Sequence, residues 1–262
     1  MKTAQSVLAI IALGAFAGTS LGGAINSVKM VNRLFNDFPD STLVATNNYP
    51  SSVSWSESNF DPFGDGGNFA NRHTAYFSAD GGATANDFNY TDGFDASFDL
   101  NLTSANPVGR EAGFHADLFG LGFFGVLPNG EIAAFGSILP FKTFGTVWTP
   151  GQAVSLRMIL TPGDGNGQPG NTWTIPSTIE YIYDLGSGPV SSGQIPFTNG
   201  EGGVPSPFPF FVGFGAQNVG SNDTPTSAVF TNIKFANVAP VPTPGAASLL
   251  GLAGLVGLRR RR

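Results

Sequence analysis

Apolar and polar residues alternate along much of the chain between residues 25 and 238. The clearest stretch runs from Phe94 to Thr103, where Phe, Ala and Leu alternate with Asp, Ser, Asn and Thr. The same alternation occurs over Arg110 to Phe119, Val154 to Leu160 and Val229 to Phe235. Successive side chains of a strand point to opposite faces, so this pattern predicts β-strands with one apolar and one polar face.

Short segments rich in Gly, Asn and Asp separate these stretches and are typical of turns, as in Asp80-Gly81-Gly82 and Pro128-Asn129-Gly130. No long amphipathic helix competes with the strands. We therefore predict an all-β fold, an antiparallel two-sheet β-sandwich whose phenylalanines fill the space between the sheets. The order of strands and turns is similar to that of concanavalin-like jelly rolls. Further strands are expected near Val53–Trp55, Thr74–Phe77, Gly122–Val126, Ile132–Phe135, Thr146–Trp148, Ile179–Asp184 and Phe210–Phe214.

The N-terminus has the features of a signal peptide. Met1 and Lys2 precede an apolar run, Val7 to Phe16, that is too short to span a bilayer comfortably. Small residues follow, and they predict cleavage after Ala17 or Ala24. We expect residues 1–24 to direct export; a buried N-terminal helix is the alternative, which the glycine-rich end of the run disfavours.

The C-terminus combines two prolines, an apolar stretch and a basic cluster within residues 239–262. As a helix, Gly245 to Leu258 would reach only about 21 Å, against about 30 Å of hydrocarbon. The clustered arginines favour the cytoplasmic side of the membrane. The predicted sorting motif comprises Pro242, Thr243, Pro244, Gly245, Arg259, Arg260, Arg261 and Arg262.

This tail resembles the PEP-CTERM sorting signal of Gram-negative bacteria, although Thr243 stands where that signal carries Glu. The resemblance implies that an exosortase-like membrane protease cuts the tail after a transient arrest in the inner membrane. It also implies release to the cell envelope or extracellular matrix, with exopolysaccharide as a partner beside the export machinery. An uncleaved membrane anchor is the alternative.

Charge and cysteine content narrow the possible functions. Without Lys2 and the four terminal arginines, seven basic residues face eighteen acidic ones, a net charge of −11 over residues 25–238. Such a domain repels phosphate backbones, so we expect no nucleic-acid partner. The chain has no cysteine, which excludes disulfides, thiolate metal sites and thiol nucleophiles.

No pattern of carboxylates points to catalysis. Glycoside hydrolysis needs two carboxyl groups at a set separation, and Glu111, Asp117 and Glu180 are scattered along the chain. The only histidines, His73 and His115, are too few to predict a zinc site. His115 and Asp117 would share one face of a strand, but we interpret that face as exposed and polar. The sequence therefore favours a protein that is not an enzyme.

Calcium is the one cofactor that the sequence suggests, because oxygen-bearing side chains crowd two predicted loops. The second loop begins like an EF-hand, but Pro169 and Ile175 stand where that motif needs Gly and Glu. The candidate ligands are Asp164, Asn166 and Asn171 in this loop and Asp61, Asp65 and Asn68 in the first.

Glycan binding by a sandwich would use exposed aromatic rings that stack on sugars. The candidates are Trp173, Trp148 and Trp55, with Trp173 favoured because it follows a loop rich in Gly and Asn. The leading hypothesis is an exported, structural or glycan-contacting β-sandwich. The alternative is a secreted polysaccharide-active enzyme similar to glycoside hydrolases.

Overall fold

The computed structural model describes residues 24–58, 70–89, 92–104, 110–118, 120–163, 176–203, 209–219 and 226–238. The predicted signal peptide, apart from Ala24, and the predicted sorting signal lie outside these residues. Within them, no helix is long and apolar enough to cross a bilayer.

The described residues form β-strands and one short 3₁₀ turn, Glu201–Gly203. In chain order the strands are β1 (Ser27–Asn36), β2 (Thr42–Asn48), β3 (Ser52–Ser58), β4 (Ala70–Ser78), β5 (Asp87–Phe88), β6 (Gly93–Ser104), β7 (Arg110–Asp117), β8 (Leu121–Val126), β9 (Glu131–Gly136), β10 (Lys142–Thr146), β11 (Val154–Thr161), β12 (Thr178–Asp184), β13 (Val190–Ser191), β14 (Ile195–Pro196), β15 (Phe210–Val219) and β16 (Thr226–Val238).

Two antiparallel sheets contain all of these strands. The first sheet has the order β1-β4-β15-β7-β8-β9-β10, with β5 beside β15. The second has the order β13-β12-β11-β6-β16-β3-β2, with β14 beside β12. About half of the paired strands are distant in sequence, such as β15 with β4 and β16 with β6, which is typical of a jelly-roll sandwich. The predicted two-sheet β-sandwich is confirmed.

Aromatic side chains from both sheets meet in the core. The ring of Phe98, on β6, lies 4.5 Å from that of Phe114, on β7, and 5.3 Å from that of Phe214, on β15. All three side chains are buried. Offset or tilted ring pairs of this kind add to the gain from burying apolar area. The core therefore joins the centre of one sheet to the centre of the other.

Strand β6 follows its predicted pattern, since its Phe, Ala and Leu positions are buried between the sheets. Strand β1 was not predicted, because its register shifts between Val31 and Phe35 and this break interrupts the period of two. The predicted strand at Thr146–Trp148 lies earlier, in β10.

The prediction of a solvated face on β7 is wrong. Phe114 and Ala116 point into the core, and His115 and Asp117, on the opposite face, are also buried. That opposite face points away from the second sheet, and we call it the cleft face. The ring of Phe123, on the neighbouring strand β8, packs against that of His115, and Phe35 of β1 lines the same pocket.

Candidate functional site

Polar side chains from three adjacent strands share the cleft face. Pairing of β4, β15 and β7 places Arg72, Gln217 and Glu111 at one level. The same pairing places Tyr76 and His115 at another level, on either side of Gly213. The alternation of each strand puts all of these side chains, and Asp117 two residues beyond His115, on the same face.

Asp117 binds the side chains of both Arg72 and Tyr76. Its Oδ2 atom forms an ion pair with Arg72 and accepts a hydrogen bond of 2.8 Å from the Tyr76 hydroxyl. Between the levels of Arg72 and Asp117, β15 carries only Gly215 and Gly213 on this face, so no side chain from that strand obstructs the guanidinium. The three polar side chains form one connected, buried group.

Burial and charge set the protonation of this group. Burial raises the pKa of Tyr76, and the nearby Asp117 carboxylate raises it further. The phenol therefore keeps its proton at neutral pH. Burial also raises the pKa of Asp117, against the opposing effect of the Arg72 charge.

His115 is neutral. Burial and the positive charge of Arg72 lower its pKa well below the usual value, although a hydrogen bond to the backbone of Gly215 acts in the opposite direction. Its Nε2 atom has no partner among the described residues, so Nδ1 makes that backbone bond. We therefore assign the proton to Nδ1, which leaves the lone pair of Nε2 free to accept one.

Four buried polar atoms on the cleft face have no hydrogen-bond partner among the described residues. They are Nε of Arg72, Oγ1 of Thr74, Nε2 of His115 and Oδ1 of Asp117. Buried polar atoms in native proteins are nearly always hydrogen-bonded, so each unpaired one needs an explanation. A bound ligand with an acceptor near Arg72 and donors near His115 and Asp117 would satisfy three of them.

Two pockets open on this face. One, of about 190 Å³, is lined by Arg72, Glu111, His115 and Gln217 together with aromatic side chains. Burial raises the pKa of Glu111 to about 7, although Arg72 opposes the shift. The other pocket, of about 770 Å³, has Tyr76 and Asp117 in its lining. This larger volume lies within the range of about 300–1,000 Å³ that is typical of ligand pockets.

The other histidine has a different role. His73 points into the sandwich, where its Nε2 donates to Oε2 of Glu57 at 3.0 Å while its Nδ1 accepts from the backbone of Arg33. Glu57 also accepts hydrogen bonds from Ser41, Asn71 and Asn218. Burial raises the pKa of Glu57, but His73 and the other donors outweigh it and hold that pKa at about 2.

Two of the predicted sugar-stacking tryptophans are misplaced. Trp55 and Trp148 are only 2% and 4% exposed, because their rings pack in the core. The Nε1 of Trp55 donates to Asn32 Oδ1, and that of Trp148 donates to the Gln152 carbonyl. Neither ring offers a free face to a sugar, so both predictions are wrong.

Other predicted positions fall outside the described residues. These are Trp173, the calcium candidates Asp164, Asn166 and Asn171, the first loop at Asp61, Asp65 and Asn68, and the sorting motif. In the described part of the chain, no group of three or more His, Asp or Glu side chains is arranged to hold a metal ion.

The three scattered carboxylates do not meet. Glu180 lies on β12 of the second sheet, whereas Glu111 and Asp117 share the cleft face of β7. Sequence reasoning missed Arg72, Tyr76 and Gln217 as members of this site. A signal for the first two was present, because β4 reads Asn-Arg-His-Thr-Ala-Tyr-Phe-Ser and places Arg72 and Tyr76 on one face.

The fold resembles several solved structures. An alginate lyase of polysaccharide lyase family 7 and an alginate lyase from Corynebacterium sp. each have a TM-score of 0.42 and 10% identity, and each match covers 73% of this chain and 81% or 79% of the lyase. A seed lectin from Lotus tetragonolobus has a TM-score of 0.40 and 13% identity, over 81% of this chain and all of the lectin. No family model and no curated protein matches the sequence. Likeness at this level is a likeness of fold.

The expectation that the chain is not an enzyme is wrong. It depended on reading His115 and Asp117 as exposed polar residues, whereas both are buried beside Arg72 and Tyr76. The cleft face therefore brings together Tyr76, Asp117, His115 and Arg72, which the spacing of these residues in the sequence did not predict.

Proposed function

We propose that the protein cleaves an acidic polysaccharide by β-elimination on the cleft face. The observation that carries this proposal is the placement of Tyr76 and His115 on either side of Gly213, with unpaired buried atoms beside them. The two strands lie about 10 Å apart, and the glycine between them leaves room for a sugar ring. A protonated phenol and a neutral imidazole then face one another across that space.

In this mechanism His115 is the general base. Its Nε2 takes the proton from the carbon next to the sugar carboxylate, and the electrons of that bond form a carbon–carbon double bond. The bond from the ring to the glycosidic oxygen breaks, and Tyr76 donates its proton to that leaving oxygen. The products are one chain with an unsaturated end and one with a new reducing end.

Arg72 would stabilise the charge that develops. Removal of the proton places negative charge on the sugar carboxylate, and a buried cation close to that group lowers the energy of the transition state. Arg72 is 3% exposed and its Nε has no partner among the described residues. Asp117 then acts as a positioning residue, because it binds both Arg72 and Tyr76.

Hydrolysis by two carboxylates fits this face less well. Glu111 and Asp117 are six residues apart on the same strand, a distance of roughly 20 Å at about 3.3 Å per residue. The paired carboxyl groups of glycosidases lie about 5 to 9.5 Å apart. Elimination by Tyr76 and His115 needs no such pair.

The substitution Tyr76→Phe tests the assignment of Tyr76 as the general acid. It removes the acid while it keeps the ring that packs against Phe211. Loss of a general acid lowers kcat by about 10²–10⁴-fold, whereas the matched control Tyr49→Phe, on another part of the surface, should leave kcat unchanged. Equal activity in wild type and Tyr76→Phe would remove Tyr76 from the mechanism.

We also propose that the protein acts outside the cytoplasm. The apolar run at Val7–Phe16 and the tail from Pro242 to Arg262 support export followed by processing at both ends. Exopolysaccharide in the envelope or matrix would then be within reach of the cleft face.

A further inference from the structure

The larger pocket on the cleft face has an apolar wall. Leu34, Leu118 and Leu121 are 42%, 41% and 51% exposed, and all three line this pocket. They come from β1, from the residue after β7 and from the start of β8. Val31 and Phe211 extend the same wall. Exposed apolar side chains that converge from separate elements mark a binding surface more often than isolated ones do.

One residue of this wall, Leu118, has an unusual backbone conformation. Leu118 has a φ angle of 150°, in a region that residues with a side chain rarely adopt. It directly follows Asp117 in the chain. Strained conformations of this kind cluster at ligand-binding positions. An apolar residue with an unusual backbone conformation thus lines the pocket directly after the positioning residue Asp117.

The pocket is continuous with the proposed reaction centre. Tyr76 and Asp117 belong to its lining, so a sugar held between Tyr76 and His115 would direct its substituents into it. Lys29 pairs with Tyr76 in the register and lines the pocket, where its ammonium can donate to an acceptor. The pocket therefore offers an apolar wall with a hydrogen-bond donor at its edge.

We propose that this pocket binds an ester-linked acyl group carried by the sugar unit at the cleaved bond. An acyl ester combines an apolar methyl or alkyl part, which suits the leucine wall, with a carbonyl oxygen, which suits Lys29. An unsubstituted sugar presents hydroxyl groups instead, and burial against leucine would leave them unpaired. This inference rests on the proposed function and defines its substrate as an O-acylated acidic polysaccharide.

The test compares one O-acetylated polyuronate before and after mild alkaline removal of its acetyl groups. We expect wild-type protein to cleave the acetylated polymer with a kcat/KM about tenfold higher, the usual effect of a small apolar group in a matching pocket. In Leu34→Asn/Leu121→Asn the preference should vanish while cleavage of the deacetylated polymer persists. Phe141→Ser, which changes a residue that is 55% exposed and absent from the pocket lining, is the matched control and should keep the preference.

A binding measurement tests the acyl pocket independently of the proposed cleavage reaction. Isothermal titration of Tyr76→Phe with oligosaccharides of the two polymers measures the preference without cleavage. Tighter binding of acetylated oligosaccharides, reduced by the double leucine substitution, supports the acyl pocket even if wild type cleaves neither polymer. Equal binding of the two, or binding of neither, overturns it. Cleavage without acetyl preference would overturn the acyl pocket and leave the elimination reaction standing.

Discussion

Tyr76 and His115 stand at the same level of the first sheet, on the two strands that flank Gly213. A Cβ atom placed on Gly213 would lie 2.4 Å from the carbonyl oxygen of Ala75, which is closer than the backbone allows. The glycine thus keeps the acid and the base on closely paired strands. Much of the site's geometry depends on this one position.

The substitution Gly213→Ala should therefore destabilise the protein. The added methyl group must push β15 away from β4, and overpacking of this kind costs about 1–3 kcal/mol. Chemical denaturation would measure the free energy of unfolding. Gly81→Ala is the matched control, since a Cβ there meets nothing within 4 Å and only its positive φ should cost about 1 kcal/mol. Equal losses in the two variants would show that the close approach of the strands is unimportant.

Ionisation of Glu111 should weaken the binding of acidic chains. Its pKa is raised to about 7 by burial, so the carboxyl is largely neutral below that pH and negative above it. Above about pH 7 it would repel an acidic sugar and compete for Arg72, and KM should rise. Initial rates across this range would reveal the change, and Glu111→Gln should abolish it. An unaltered rise of KM in the variant would assign the titration to another group.

The buried Glu57 should make the fold acid-sensitive. Its pKa is held at about 2 in the folded protein, below the ordinary value of 4.5, so its ionised form stabilises the fold. That contribution is complete above about pH 4.5 and is lost as the pH falls towards 2. At neutral pH, Glu57→Gln should lower the free energy of unfolding by about 3 kcal/mol, because it removes a buried carboxylate that accepts hydrogen bonds from Ser41, Asn71, His73 and Asn218.

The difference between wild type and Glu57→Gln should shrink as the pH approaches 2. Denaturant titrations at several pH values would follow it. Asp40→Asn changes an exposed carboxylate and should leave the stability almost unchanged. A constant difference between wild type and Glu57→Gln at every pH would mean that the charge of Glu57 contributes nothing.

Processing at both ends predicts a defined mature mass. Protein recovered from culture fluid and from envelope fractions should lack residues up to about Ala24 and residues beyond about Pro242. Intact mass spectrometry with sequencing of the terminal peptides would measure this. A mature form that still carries Arg259 to Arg262 would contradict cleavage of the tail and favour a retained membrane anchor.

Sequence patterns predicted the architecture better than the site. The alternation from Phe94 to Thr103 indicated β6 and its buried face, because one apolar side and one solvated side give a clear period of two. The same reasoning placed His115 and Asp117 on one face of β7. It failed on their environment, because the burial of that face depends on neighbours such as Phe123 on β8 and Phe35 on the distant strand β1, whose positions follow from the strand pairing.

The remainder of the site depends on strand order. Gln217 and Glu111 are opposite each other on β15 and β7, although more than a hundred residues separate them in the chain. Nothing in a single sequence shows that β15 lies between β4 and β7. Arg72 therefore could not be assigned as a partner of Asp117, nor Tyr76 as the group across from His115, before the sheet was known.

The most direct test of the account is the chemistry of the product. Purified protein would be incubated with acidic polysaccharides, acetylated and deacetylated, while ultraviolet absorbance counts unsaturated ends and a chemical assay counts reducing ends. Elimination by Tyr76 and His115 predicts that the two kinds of end form in equal numbers and that Tyr76→Phe slows both by about 10²-fold or more. Reducing ends without unsaturated ends, or no cleavage of any acidic polysaccharide, would contradict the account.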